Sequence, residues 1–221
     1  MEQSSIELQA HLAPMELPLL PPDLILASTS RYRRELLERL RLPFDVCSPQ
    51  VDEAVLEGET PAQVSERLAL AKARAVALKQ PQAWVIGSDQ VAELDGEAIG
   101  KPGTHERALA QLRRMSGRSV RFHTAVAVVR GLDGATGLRR VVVEVAFRDL
   151  REAEIETYLQ LERPYDCAGS AKCEGLGISL LRSIRSDDPT ALIGLPLIAT
   201  RELLEAAGFD VLARLAAQEG V

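Results

Sequence analysis

The stretch LILASTSRYRRELLERL, from Leu24 to Leu40, limits the folds open to this chain more than any other. Leu24–Ala27 is a short apolar run and reads as a buried strand. Ser28, Thr29 and Ser30 follow it. Tyr32, Leu36, Leu37 and Leu40 then recur at helical spacing, with Ser30 placed as the N-cap. The first helical turn holds Arg31, Arg33 and Arg34. That is the wrong sign for a helix N-terminus, where each cation costs about 0.3 kcal/mol or more. Hydroxyls, unpaired N–H groups and guanidinium groups in one turn describe an anion site. The alternative is a plain strand–helix turn whose arginines point into water.

The rest of the chain narrows the setting. Its 221 residues are 46% hydrophobic, ample for a packed core, and its net charge of −6 argues against general adhesion to nucleic acid or membrane. Any basic site must therefore be local. Cys47, Cys167 and Cys173 are an odd set without a CxxC pair, and read as reduced thiols of a cytoplasmic protein, not as a disulfide frame or zinc site. No apolar run approaches the length of a membrane span. Residues 1–22 read as a loose leader. They carry Glu2, Glu7 and Glu16 where a signal peptide would be basic, then Pro14, Pro18, Pro21 and Pro22. Residues 23–221 are expected to form one domain.

Within that domain, Phe44–Cys47 reads as a short strand and Ser48–Glu53 as a loop ending in the acidic pair Asp52-Glu53. Thr60-Pro61-x-Gln63 is a capping box with proline at the first helical position. Val64, Leu68, Ala71, Ala75 and Leu78 form one apolar stripe, with Lys72 on its border, where a lysine either snorkels to water or reaches a cleft. Trp84–Ile86 is a buried strand expected to stop at Gly87-Ser88-Asp89-Gln90. Asp95-Gly96 is a hairpin turn between Val91–Leu94 and Glu97–Gly100. Thr104–Met115 reads as a helix, and Val120–Val129 and Leu138–Phe147 as long strands joined by a loop over Gly131–Gly137. Asp149 is expected to cap a helix through Glu152. A glycine-punctuated segment with a strand at Ile178–Leu181 follows, then a turn at Asp187-Asp188-Pro189 and a helix over Leu197–Ala207 stopped by Gly208. The tail is expected to add a last helical turn. Together these elements make an α/β fold on an extended mixed sheet.

Ser28, Arg33, Glu53, Asp89, Gln90, Lys101 and Glu174 stand where strands are expected to end, sheet ends are common ligand sites, and Lys72 adds a second lysine to the set. The set has acids, cations and hydroxyls but no histidine or cysteine at ligand spacing; His105 and His123 read as surface or strand positions. Oxygen-rich donors suit magnesium or manganese. The pattern points to an enzyme in which cations hold a polyphosphate and carboxylates hold a metal. The plain alternative is a set of surface ion pairs worth at most about 1 kcal/mol each.

The segments LASTSRYRRELL, VDE, RLALAKA, IGSDQV, IGKP and CAGSAKCEGLGI occur in the order found in the Maf family of nucleoside-triphosphate pyrophosphatases, which the chain resembles from Leu24 to Ala207. GSDQ and CEG resemble its 7-methyl-GTP branch. The resemblance implies a Maf/ITPase-like elongated mixed β-sheet flanked by helices, with two lobes around a central cleft. It implies hydrolysis of 7-methyl-GTP to 7-methyl-GMP and pyrophosphate, clearing modified nucleotides, with a divalent metal, magnesium or manganese. The alternatives it leaves are a dTTP/UTP-type pyrophosphatase and a non-catalytic nucleotide-binding regulator of cell division.

Residue by residue, Asp89 matches the proton acceptor, and Tyr32, Gln90 and Glu174 match specificity positions. Ser28, Arg33, Glu53, Lys72 and Lys101 match the residues that handle phosphate and metal. Lys72, Lys101 and Glu53 are assigned to catalysis with Asp89, and Glu53 and Asp89 to the metal. Arg31-Tyr32 departs from the proline and aromatic or arginine usual there. A nucleoside triphosphate is the expected partner, a homodimer is left open, and neither nucleic acid nor membrane is expected.

Overall fold

The apolar runs become the central strands of a seven-stranded mixed sheet. The computed structural model describes residues 23–219, so the leader expected over 1–22 lies outside the described residues. In chain order the elements are β1 (Leu24–Ala27), α1 (Arg31–Glu38), β2 (Asp45–Cys47), α2 (Pro61–Ala77), β3 (Trp84–Leu94), β4 (Glu97–Ile99) and α3 (His105–Met115). Then come β5 (Ser119–Arg130), β6 (Thr136–Phe147), α4 (Glu152–Glu162), β7 (Leu181–Arg185), α5 (Leu197–Ala206) and α6 (Val211–Glu219). The strand order is β2-β1-β3-β5-β6-β7, with β4 paired to β3. β1 runs parallel to β2 and β3, and the remaining pairs are antiparallel.

Local signals set most of the boundaries. Ser30 accepts the Arg33 amide at the start of α1, and Thr60 and Gln63 close a reciprocal capping box on α2. Thr104 proves to be the cap of α3 and not its first residue. Asp95 and Gly96 both take positive φ and turn β3 into β4.

Further expectations are corrected. The apolar stripe of α2 keeps Val64 and Leu68 but continues through Ala69, Ala73, Val76 and Ala77 instead of Ala71, Ala75 and Leu78, the last of which is 84% exposed. β3 does not stop at Gly87-Ser88-Asp89-Gln90 but runs unbroken through it. Gly87 is there for close approach, since a Cβ would lie 2.3 Å from the Ala69 carbonyl oxygen and 2.6 Å from the Ala73 amide of α2. Asp149 does not cap α4; Glu154 reaches back instead to accept the Arg151 amide at 2.8 Å. Leu176–Leu180 is a 3-10 turn, and the strand follows it at Leu181–Arg185. The tail forms a whole helix, α6, whose Val211 packs with Phe209 against the core.

Alternation along β3 sorts the core. Val85 faces α2, where Ala69, Ala73, Val76 and Ala77 meet Ile25, Ala125, Ala127 and Val129. On the other face, Trp84 and Ile86 join a cluster with Leu36, Leu37, Val126 and Leu204. Ala92 and Leu94 join a second with Leu112, Phe122, Phe147 and Tyr158. These two clusters are the cores of the two lobes. Between them the strand presents Ser88 and Gln90, whose polar groups are satisfied by the crossing segment 190–195: Ser88 Oγ donates to Gly194 O at 2.9 Å, and Gln90 Nε2 to Ala191 O and Leu192 O at 3.0 Å.

Asp188, 2% exposed, pins that segment. One carboxylate oxygen accepts the Ile198 and Ala199 amides of α5 at 2.7 and 3.2 Å, and the other accepts from the Thr190 hydroxyl at 2.8 Å. A buried carboxylate at a helix N-terminus satisfies orphan N–H groups and meets the positive end of the dipole. Asp188→Ala is expected to cost about 2 kcal/mol. The measured effect would be a fall in Tm of roughly 6 °C in a calorimetric scan.

Candidate active site

The cleft is a notch in the sheet. On one side, β3 is paired by β1 only as far as Gly87 and by β4 only from Ala92 onward, so residues 88–91 have no strand neighbour there among the described residues. Ser28 ends the β1 side of the notch, and Gly100 and Lys101 end the β4 side. The opening is about 920 Å³, the size of a nucleotide-binding cleft. Ser28, Tyr32, Arg33, Glu53, Lys72, Asp89, Gln90 and Lys101 all line it. Eight of the nine residues assigned from sequence therefore meet in one place. Glu174 does not line the cleft; it is exposed, with a 3.6 Å contact from the Cys173 thiol.

Lys72 organises the floor. It is 5% exposed, reaching inward instead of snorkelling, with its ammonium 2.7 Å from Asp89 Oδ1 and 2.8 Å from Glu53 Oε1. The tight packing of α2 on Gly87 brings Lys72 over Asp89, two residues further along β3. Burial alone would raise the Glu53 carboxyl. The hydrogen bond and charge of Lys72, with the charges of Lys101 and Arg33, more than reverse this and hold it below the usual carboxylate range.

Arg33 forms the opposite wall. Its Nε donates to Gly194 O at 2.9 Å, which leaves its Nη groups without a protein acceptor among the described residues. Burial pulls the guanidinium down from its ordinary value against the pull of Asp89 and Glu53. Ser28 Oγ accepts the Ser30 amide at 3.1 Å and so shapes the turn.

Tyr32 receives a hydrogen bond of 3.0 Å from Arg31, whose guanidinium lies 4.7 Å from the ring centroid; Lys172 Nζ lies 5.9 Å from it. Burial raises the Tyr32 hydroxyl. Gln90 lines the cleft, but its amide nitrogen is already committed to Thr124 and the 190–195 segment.

Sequence reading passed over Asp166 and Gln50, which also line the cleft. No local pattern marks them, because they arrive from loops. The three cysteines are free, and burial pushes the Cys167 and Cys173 thiols up to about 12, so both stay neutral. His105 bonds Tyr165 and Glu156 at 3.0 Å. His123 is buried on β5 beside Glu93 at 2.6 Å, and a proton on its Nε2 leaves Nδ1 to accept from Arg140 at 3.3 Å.

The donor set fits magnesium or manganese. Glu53 and Asp89 each commit one oxygen to Lys72, and among the described residues no histidine or cysteine lines the cleft. Among the described residues no group of three potential ligands could cage an ion. Magnesium is ordinarily held by one or two carboxylates together with substrate phosphates. Among the same residues no helix is long and apolar enough to cross a membrane.

The chain is similar to known proteins. The Maf-like protein family matches residues 23–207. The chain is 62% identical over 189 residues to the 7-methyl-GTP pyrophosphatase of Albidiferax ferrireducens, covering 86% of this chain and 95% of that one. It is 63% identical over 190 residues to the 7-methyl-GTP pyrophosphatase of a Polaromonas species, covering 86% and 87%. It is 61% identical over 190 residues to that of Xanthomonas campestris pv. campestris, covering 86% and 98%. Among solved structures it is similar to the Staphylococcus aureus Ham1 protein, with a TM-score of 0.41 and 19% identity over 57% of this chain and 72% of that one.

Proposed function

This chain belongs to the Maf family, and from that premise we propose that it hydrolyses 7-methyl-GTP to 7-methyl-GMP and pyrophosphate. The observation that carries the reading is Lys72 clasped between Asp89 and Glu53 at the floor of a notch walled by Arg33 and Lys101.

The reaction is attack of water on the α-phosphorus. The water oxygen bonds phosphorus, the α–β bridging P–O bond breaks, pyrophosphate carries away the electron pair, and one water proton goes to Asp89. A free aspartate carboxylate, pKa about 3.9, and bulk water, pKa about 15.7, are separated by roughly 16 kcal/mol, so a carboxylate alone is too weak a base for bulk water. A divalent cation held by Asp89 and Glu53 would supply the missing acidification of the water or of the leaving group. Lys72 keeps both carboxylates in place. Arg33, through its free Nη groups, and Lys101 neutralise the triphosphate as charge moves toward pyrophosphate. Tyr32 offers an aromatic face to the cationic methylated base, worth about 0.5–2 kcal/mol. Glu174 stands outside the lining and can act on the base only through its charge. We further propose that it works in the cytoplasm, where nucleoside triphosphates are available.

The test is pyrophosphate release from a nucleotide panel with magnesium or manganese. The expected result is 7-methyl-GTP favoured over GTP, UTP and dTTP by at least about tenfold in kcat/KM. Preference for UTP or dTTP would move the chain to the pyrimidine branch, and release from none would overturn the reading.

A further inference from the structure

Glu53 stands on the irregular stretch between β2 and α2, and its side chain is 59% exposed. A carboxylate on such a loop is costly to order. Apolar burial does not hold this one, because Val55 and Leu56 beside it are 60% and 55% exposed. The hold comes from Arg67 of α2. Its Nη2 donates to the Ala54 carbonyl at 2.9 Å and to Glu59 Oε2 at 2.7 Å, and its Nε donates to Glu59 Oε1. Glu59 Oε2 in turn accepts the Leu56 amide at 2.9 Å. One planar guanidinium thus grips the loop at both ends, at the peptide next to Glu53 and at the last turn before the helix. Arg67 and Lys72 lie on one helix, about 7.5 Å apart along its axis, so the grip and the ammonium that Glu53 must meet are set by the same rigid body.

We propose that Arg67 is the positioning residue for Glu53, fixing the loop so that the carboxylate meets Lys72 at the cleft floor. The catalytic consequence rests on the pyrophosphatase reading above, whereas the structural consequence stands without it.

The test uses the full chain with Arg67→Met, Arg67→Lys, Glu53→Gln and the double variant Glu53→Gln/Arg67→Met. Arg67→Met is expected to lower kcat for 7-methyl-GTP by about 100-fold with KM moving less than about threefold, as a misplaced group does. In the Glu53→Gln background the same change should cost less than about twofold, because the residue it positions is already lost. Arg67→Lys, which cannot fork, should recover only part of the rate. Hydrogen exchange without nucleotide should show lost protection over residues 54–59 while α2 stays protected.

A full 100-fold further loss in the Glu53→Gln background overturns the proposal, as does unchanged exchange over the loop. If Arg67→Met fails to fold, Arg67→Lys and the double variant Glu53→Gln/Arg67→Lys complete the cycle in its place. If the wild type releases no pyrophosphate from any nucleotide, the activity reading falls. Exchange then decides the clamp alone.

Discussion

Asp89→Asn is expected to lower pyrophosphate release from 7-methyl-GTP by about 1,000-fold or more while changing substrate affinity less than about threefold. The substitution keeps the size of the side chain and an oxygen for Lys72, 2.7 Å away, and removes the negative charge and the basicity. A loss confined to turnover would mark an interaction made in the transition state, since one shared with the bound substrate would weaken affinity too. Single-turnover rates and calorimetric binding on the same preparation separate the two. Near-normal turnover would remove Asp89 from the chemistry. A loss of affinity equal to the loss of rate would make it a binding residue instead.

Gly87→Ala should be the most damaging single methyl group in the protein. The added Cβ would sit 2.3 Å from a backbone oxygen and 2.6 Å from a backbone nitrogen of α2, and neither can swing aside as a side chain would. Overpacking of this kind costs about 3 kcal/mol, and the helix can relieve it only by moving away from the sheet. A fall in Tm of roughly 9 °C is expected. Displacement of α2 would also carry Lys72 off Asp89, so the folded fraction should be nearly inactive at a temperature where it is fully native by circular dichroism. A variant with normal Tm would show that α2 does not need this close approach. One that is destabilised yet fully active per folded molecule would show that the Lys72–Asp89 contact tolerates the shift.

Much of this was legible in the sequence, and the part that was not has a physical cause. Caps and turns were read well because Ser30, Thr60 and Asp95-Gly96 act within three or four residues of themselves. The site residues were legible as a set through the family resemblance, and the fold brings eight of the nine together. Gly87 was misread as a stop because a glycine needed for helix contact looks, in one dimension, like a glycine that ends a strand. Gln90 could not be understood locally either, since the carbonyls that hold its amide lie 101 and 102 residues away. The grip of Arg67 on Ala54 and Glu59 links positions 13 and 8 residues apart through a loop without periodicity, so no pattern announces it.

The unbroken course of β3 constrains how this molecule can breathe. It pairs with β5 from Trp84 to Glu93, and β5 with β6 from Ser119 to Val129, so three long strands bridge both lobes as one girder. Swinging the lobes together on a hinge would mean shearing those ladders, which is far costlier than rearranging a loop. Any clamping onto a guest must therefore come from the segments that carry Lys101 and Asp166, folding down over a base that does not bend.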